Sequence, residues 1–189
     1  MRHALLLLAP LFLLSSCMFS RSSRPTRTYL LSPVDFQETH EGKDAVKLGR
    51  IRLPAYLNSS NLVRRHGPHE VIVDSYSLWA ESLVGGMADI LCQNLGTLLP
   101  QAVIIPPDSP SPADSLLLEC AFKRFEAQDD HFEVSLSCRC RQGAALRWTR
   151  QIQFTLPLAA PADPAAIVQA HNEALGRIAH ELATALTGN

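Results

Sequence analysis

The 189-residue sequence has no excess charge of either sign. Its 17 lysines and arginines stand against 18 aspartates and glutamates, a formal net charge of −1. With no basic surplus to neutralise a phosphate backbone, nucleic-acid binding is excluded as its main work. There is no GxxxxGK(S/T) loop and no GxSxG elbow, so nucleotide hydrolysis and α/β-hydrolase chemistry fall away. After Leu14 no apolar run approaches the ~20 residues that a bilayer core demands. Metal ligands are not clustered. His66 and His69 share a polar His-Gly-Pro-His loop, but no cysteine or carboxylate set accompanies them. His171 and His180 are nine residues apart on one helix, which puts them on opposite faces. No acid, base and nucleophile stand together, so no catalytic residue, metal or cofactor is expected, and the pattern is that of a binding or structural module.

What the sequence does have begins at its first residues. Arg2 and His3 precede an apolar run from Ala4 to Leu14, and Ser15-Ser16-Cys17 follows. This is the charged, apolar and small-residue order of a secretory signal peptide, and the terminal cysteine makes it resemble a bacterial lipobox. Residues 1–16 are then a cleaved signal, and Cys17 becomes the first mature residue, carrying thioether-linked diacylglycerol and an N-acyl chain. A serine there could not form the thioether. Each buried methylene contributes about 0.8 kcal/mol, and one chain binds only reversibly, whereas three hold for the protein's lifetime. Met18 is not the aspartate that retains such proteins at the inner membrane, which points to the periplasmic face of the outer membrane. Residues 17–27, with Arg21, Arg24 and Arg27 among serines and a proline, read as a lipidated tether reaching at most roughly 30 Å.

Residues 28–189 read as one periplasmic domain of the α+β class. Thr28 to Leu31, Val46 to Leu53, Leu62-Val63, Val71 to Val73 and Val103 to Ile105 are short strand candidates, the last of them read as buried. Val46 and Leu48 differ in parity from Ile51 and Leu53, and a bulge at Gly49 between them would restore the register. Arg64 to His69 reads as a polar loop. Trp79, Leu83, Met87, Ile90, Leu91, Leu95 and Leu98 recur at helical spacing, predicting a helix over about 77–98 capped by Ser77. Gly85-Gly86 interrupts it, which predicts close packing against another backbone. Three alternating runs (Leu116 to Phe122, Phe132 to Cys140, Leu146 to Leu156) predict a three-stranded antiparallel meander with one buried face. Asp163 and Pro164 open a second helix, to about residue 186, whose apolar stripe includes Ile167, His171, Leu175, Ile178 and Leu182. The fold class is therefore an antiparallel or mixed sheet, ending in the meander, packed by two main helices.

Cys92, Cys120, Cys138 and Cys140 remain after Cys17. Cys138 and Cys140 have strand spacing and face the same way. If the first meander hairpin closes symmetrically about Asp129, Cys120 lies opposite Cys138, and a cross-strand disulfide is open to them with Cys140 as competitor. Buried free thiols acting as small apolar residues are the alternative.

Leu53-Pro54-Ala55-Tyr56-Leu57, then Asn61-Leu62-Val63-Arg64, then Trp79-Ala80-Glu81-Ser82-Leu83 together resemble the PqiC/YmbA-like ABC-type transport auxiliary lipoprotein family, whose pattern runs LP-x-YL, LV-x-R and WAE-x-L. The meander and the Ala170-His171-Asn172 helix agree with it, over roughly residues 28–186. Asn58 departs from the family's usual acidic residue. The resemblance implies a non-enzymatic lipoprotein that partners an MCE-domain protein of an intermembrane lipid transport system, with no nucleic acid, docking the far end of that conduit at the outer membrane, with a homo-oligomeric ring open to it. It singles out Leu53, Pro54, Tyr56, Leu57, Val63, Arg64, Trp79, Glu81 and Leu83 for motif or partner contact. Glu81 could pair with Arg64 or Arg65, or simply sit at the helix N-terminus. An envelope assembly or scaffold lipoprotein with a different partner is the alternative.

Overall fold

The computed structural model describes residues 24–160 and 162–188; the lipobox, Cys17 and most of the tether lie outside the described residues. The long strand β6 (Leu116–Gln128) organises the sheet. Strand β7 (His131–Gln142) runs antiparallel along its whole length on one side, and β8 (Ala145–Pro157) pairs antiparallel with β7 beyond it. The other side of β6 is shared. Strand β2 (Ala45–Leu48) takes its beginning in parallel, through Val46↔Leu116, and β3 (Asn61–His66) takes its end, through Arg64↔Ala127. Outside β2 lies β5 (Val103–Ile105), also parallel. Outside β3 lies β4 (Glu70–Trp79), antiparallel, and the short β1 (Arg27–Tyr29) adds in parallel to the end of β4. The result is a mixed eight-stranded sheet with helices α1 (Leu83–Leu98) and α2 (Pro164–Thr187) packed on it.

The meander forms where the alternation predicts it, except that β8 is buried only from Ile152 on: Leu146, read as part of the buried face, is exposed and Trp148 is half-buried, because the start of the strand lies beyond the helices' cover. Leu118, Cys120, Phe122, Phe132, Val134, Leu136, Cys138, Cys140, Ile152 and Leu156 are buried, and the helices supply Met87, Leu91, Leu95, Leu175, Ile178 and Leu182 against them. Helix α2 begins as read, with the Asp163 carboxylate accepting from Ala165 N–H at 3.1 Å and Pro164 in its first turn.

Five further readings need correction. Helix α1 is capped five residues later than predicted. Ser77 and Trp79 belong to β4, where they pair with β1, and Trp79 N–H donates to Ser60 C=O at 2.8 Å. Ser82 is the cap, its hydroxyl accepting from Gly85 N–H at 3.1 Å. Two-sided strand pairing outweighs the helical spacing of Trp79. Gly85 and Gly86 therefore lie in the first turn, and what crowds them is side chain rather than backbone: a Cβ would stand 2.8 Å from Ser82 Oγ and 3.2 Å from Glu81 Oε1 respectively. Arg64 to His66 is strand, and only residues 67–69 turn, through Gly67 with φ +57°. Strand β2 ends at Leu48, yet the chain keeps following β6: Gly49 N–H donates to Leu118 C=O and Arg52 N–H to Cys120 C=O. That change of register at Gly49 lets Val46, Leu48 and Ile51 all be buried. Strand β5, read as a buried strand, is an edge with Val103 exposed.

The β6–β7 hairpin closes on Asp129 and Asp130, Gln128 facing His131, with Asp129 in the left-handed region at φ 48°. A closure about Asp129 alone would differ by half a step. A bulge between Phe122 and Arg124 makes up the difference, and Cys120 does face Cys138.

Candidate functional site

Beyond the bulge, β6 reverses which residues face the helices. Phe125 turns into the core, where it meets Phe132 and His171 edge to face. Glu126 is thereby delivered to the opposite face of the sheet, and the chain segment Arg52–Asn58 crosses beside it. Pro54 ends that segment's pairing, since it has no N–H to give a ladder. A single 3-10 turn, Ala55–Leu57, then drives Leu57 into the core and places Tyr56 over Glu126.

Glu126 has no exposed side-chain surface, and one of its oxygens is heavily used. Oε1 accepts from Tyr56 O–H at 2.7 Å, from Arg65 Nε at 3.0 Å and from Arg124 Nη1 at 3.2 Å. Arg65 also donates to Tyr56 Oη at 3.2 Å and to Pro68 C=O at 3.2 Å, closing a ring of contacts between the turn, β3 and β6. Burial, and then the bond to Glu126, hold the Tyr56 hydroxyl protonated above the ordinary phenol range. Glu126 Oε2 is buried without a hydrogen-bond partner. A buried carboxylate survives when donors and charges surround it, and removal of one charged partner from such a cluster costs about 3–5 kcal/mol. The cluster therefore fixes the 3-10 turn to the sheet.

Tyr56 and Arg124 are also the inner wall of an open groove of about 760 Å³ on this outer face. Pro54 and Lys123 border it, and Glu133, Ser135, Gln153 and Thr155 line its bed. Arg124 leans toward Glu133, with Nε 3.7 Å from Oε2. The groove carries both charge signs over a largely apolar lining, to which Pro54, Val134 and Phe154 contribute, and it is preformed.

The structure distributes the nine motif residues among different tasks. Leu57, Val63, Trp79 and Leu83 are buried core, and Leu53 packs half-buried against it. Trp79 lies edge to face with His171 at 5.1 Å. Pro54 and Tyr56 reach the groove. Arg64 points to the other face of β3, beside Asp74, Pro164 and Ile167, while Arg65 joins Tyr56. Arg65 is also where the arginine of the LV-x-R pattern falls once Leu62-Val63 are aligned. Glu81 is exposed and precedes the cap, and neither Arg64 nor Arg65 is within ion-pair reach of it. Glu126 and Arg124 escaped the sequence reading, yet a signal was present. Unbroken alternation from Leu116 would place Glu126 in the core and Phe125 outside, a contradiction that only a bulge resolves.

The cysteines are placed as the parity required. Cys120 and Cys138 are buried with Sγ atoms 3.4 Å apart, unbonded, and Cys140 is two residues further along β7. His66 Nδ1 lies 2.8 Å from Asp129 Oδ1 and ties the two hairpin turns together, while His69 is exposed. His171 is buried and His180 half-exposed beside Glu38, in keeping with opposite helix faces.

A family model described as ABC-type transport auxiliary lipoprotein component matches residues 29–183. No curated protein matches the chain. Among solved structures, an uncharacterized protein superposes with a TM-score of 0.75 at 16% identity, over 86% of this chain and 99% of its own. A Xanthomonas campestris protein of the family DUF330 gives a TM-score of 0.68 at 14% identity, covering 87% and 95%. A hypothetical protein from Chlamydia trachomatis gives 0.51 at 10% identity, covering 78% and 100%. At these identities the likeness is one of fold.

Proposed function

The chain belongs to the family of ABC-type transport auxiliary lipoprotein components, and from that premise we propose that it is a non-enzymatic, lipid-anchored subunit of an ABC/MCE-type intermembrane lipid transport system. In this reading Cys17 carries the lipid, the anchor sits in the periplasmic face of the outer membrane, and the folded domain docks the end of a periplasm-spanning MCE-domain protein there. Energy comes from a separate permease and ATPase, and several copies around the conduit form a ring.

One observation carries the reading. The LP-x-YL and LV-x-R segments, far apart along the chain from Glu126, converge on it and clamp a rigid turn beside an open, water-facing groove. A charge cluster spent on holding a surface in shape suits a docking part. Tyr56 is bonded through its oxygen to a buried ion pair, and Glu126 is enclosed by three donors, so neither is free to act on a substrate. Among the described residues no helix is long and apolar enough to cross a membrane; in this reading the N-terminal lipid makes the attachment.

Crosslinking of the lipidated protein in native membranes, followed by mass spectrometry, tests the proposal. Recovery of an MCE-domain protein through residues bordering the groove is the expected result, and its absence from every crosslinked species would sink the reading. A Cys17→Ser form should fold, leave the membrane and fail to support transport; full complementation by it would make the anchor incidental.

A further inference from the structure

Strand β8 is the sheet's edge on the side away from β1. Among the described residues it pairs only with β7. Its first seven residues, 145–151, include none that is buried, and Leu146 is 59% exposed. Charge is segregated here in a way the near-neutral total hides. Residues 134–162 contain no aspartate or glutamate but carry Arg139, Arg141, Arg147 and Arg150, all in the β7–β8 hairpin. The Arg150 guanidinium lies 6.0 Å from the centre of the half-buried Trp148 ring. An open groove of about 530 Å³ beside this strip is lined by Leu146, Trp148 and Leu186, with Asp44 the one carboxylate among its lining residues.

We propose that the free edge of β8, from Ala145 to Gln151, is a docking strip for an extended acidic segment of a protein partner, which adds to the sheet as a further strand. The unpaired backbone groups of an edge strand supply the affinity of strand addition. The arginines select the sign of the partner, and Leu146 and Trp148 accept its alternate apolar side chains. The same arginines act against self-association: pairing with a second copy would bring Arg147 and Arg150 of both chains onto one short ladder, where like charges repel. A lipid surface is the weaker occupant, because it makes no use of an open backbone edge. The strip also lies on the sheet edge opposite β1, where the tether joins the domain, five strand spacings or about 24 Å away. For the partner's identity this inference rests on the docking role proposed above; the chemistry of the strip does not.

The test uses the full lipidated protein in neutral detergent. The probe is a fluorescent eight-residue peptide alternating Glu with Val, compared with a Gln–Val version and with the acidic peptide N-methylated at every second residue. The expected result is binding of the acidic peptide that weakens at least about tenfold for each control peptide, and at least about tenfold for the Arg147→Gln/Arg150→Gln protein, whose exposed positions leave folding intact. Equal binding of the N-methylated peptide overturns strand addition, and equal binding to the double variant overturns the charge selection. In vesicles, a blue shift of Trp148 fluorescence that requires phosphatidylglycerol and is lost in the double variant would assign the strip to the membrane and overturn the proposal. Failure of the peptide assay alongside recovery of an MCE-domain crosslink would leave the docking role standing without this strip; success without that crosslink would do the reverse.

Discussion

His171 makes the core acid-sensitive, and the size of the effect follows from its surroundings. The imidazole is 2% exposed, enclosed by Trp79, Phe125 and Phe132, with Nδ1 2.8 Å from the Ile167 carbonyl. Burial pushes its pKa down to about 4, from 6.5 when free. The folded state thus keeps the ring neutral where the unfolded chain already binds a proton. The stability this represents is fully present above pH 6.5 and drains away as pH falls toward 4. Two and a half units are about 3.4 kcal/mol at the limit, and between pH 7 and pH 5 the loss comes to about 2 kcal/mol. Carboxylates elsewhere also titrate in acid, so the clean measurement is a difference. Urea unfolding of the wild type and of His171→Phe at pH 7 and pH 5 should show the variant losing about 2 kcal/mol less over that interval, since phenylalanine fills the aromatic cage without titrating. Parallel losses, agreeing within about 0.5 kcal/mol, would refute the reasoning.

At the clamp, Glu126→Gln leaves Arg65 without its counter-charge and Arg124 with Glu133 alone, and should cost about 3 kcal/mol or more in urea unfolding, whereas Tyr56→Phe removes one hydrogen bond and should cost about 1–2 kcal/mol. Ser82→Ala should cost about 1 kcal/mol by the same measurement, confirming where α1 is capped. At Gly176 a Cβ would stand 2.4 Å from Val34 Cγ2; Gly176→Ala should therefore destabilise by about 1–3 kcal/mol despite alanine's helix preference, and Val34→Ala in the same chain should recover most of the loss. Intact mass of the membrane-extracted protein before and after reduction tests whether Cys120 and Cys138 are joined: a shift of about two hydrogens that vanishes in Cys138→Ser would establish the bond, and no shift would leave them as packed thiols.

The parts of the fold legible in the sequence were those set by long, regular burial. Strands β6 and β7 and helix α2 have one face against the core over about a dozen residues or more, so periodicity alone locates them. Legibility failed where two short-range signals competed. Trp79 fits the helical stripe of α1 and also the inward parity of β4; the pairing of β1 decides between them, and β1 is far off in sequence. Arg64 and Arg65 are neighbours on a strand, so they face opposite ways, and only the position of Glu126 tells which one matters.

The site was illegible for a related reason. A glutamate in a strand ordinarily reads as the wet face, yet Glu126 is wholly buried because a turn from another segment covers it. Its burial depends on the bulge near Lys123, which reverses the facing of β6, and on Pro54, which sends the chain across the sheet. Each device is a local departure from regularity and costs stability by itself. Together they place three donors around one carboxylate oxygen and leave Tyr56 and Arg124 at the groove. The irregularities and the site are therefore one arrangement: were β6 to keep Lys123 and pair without the bulge, Glu126 would return to the core side, the clamp would break and the groove would lose its inner wall. Glu126→Gln, which breaks the clamp without moving the strand, should lose partner crosslinking even where the sheet stays folded, and partner capture at wild-type yield would show that the groove is not the docking surface.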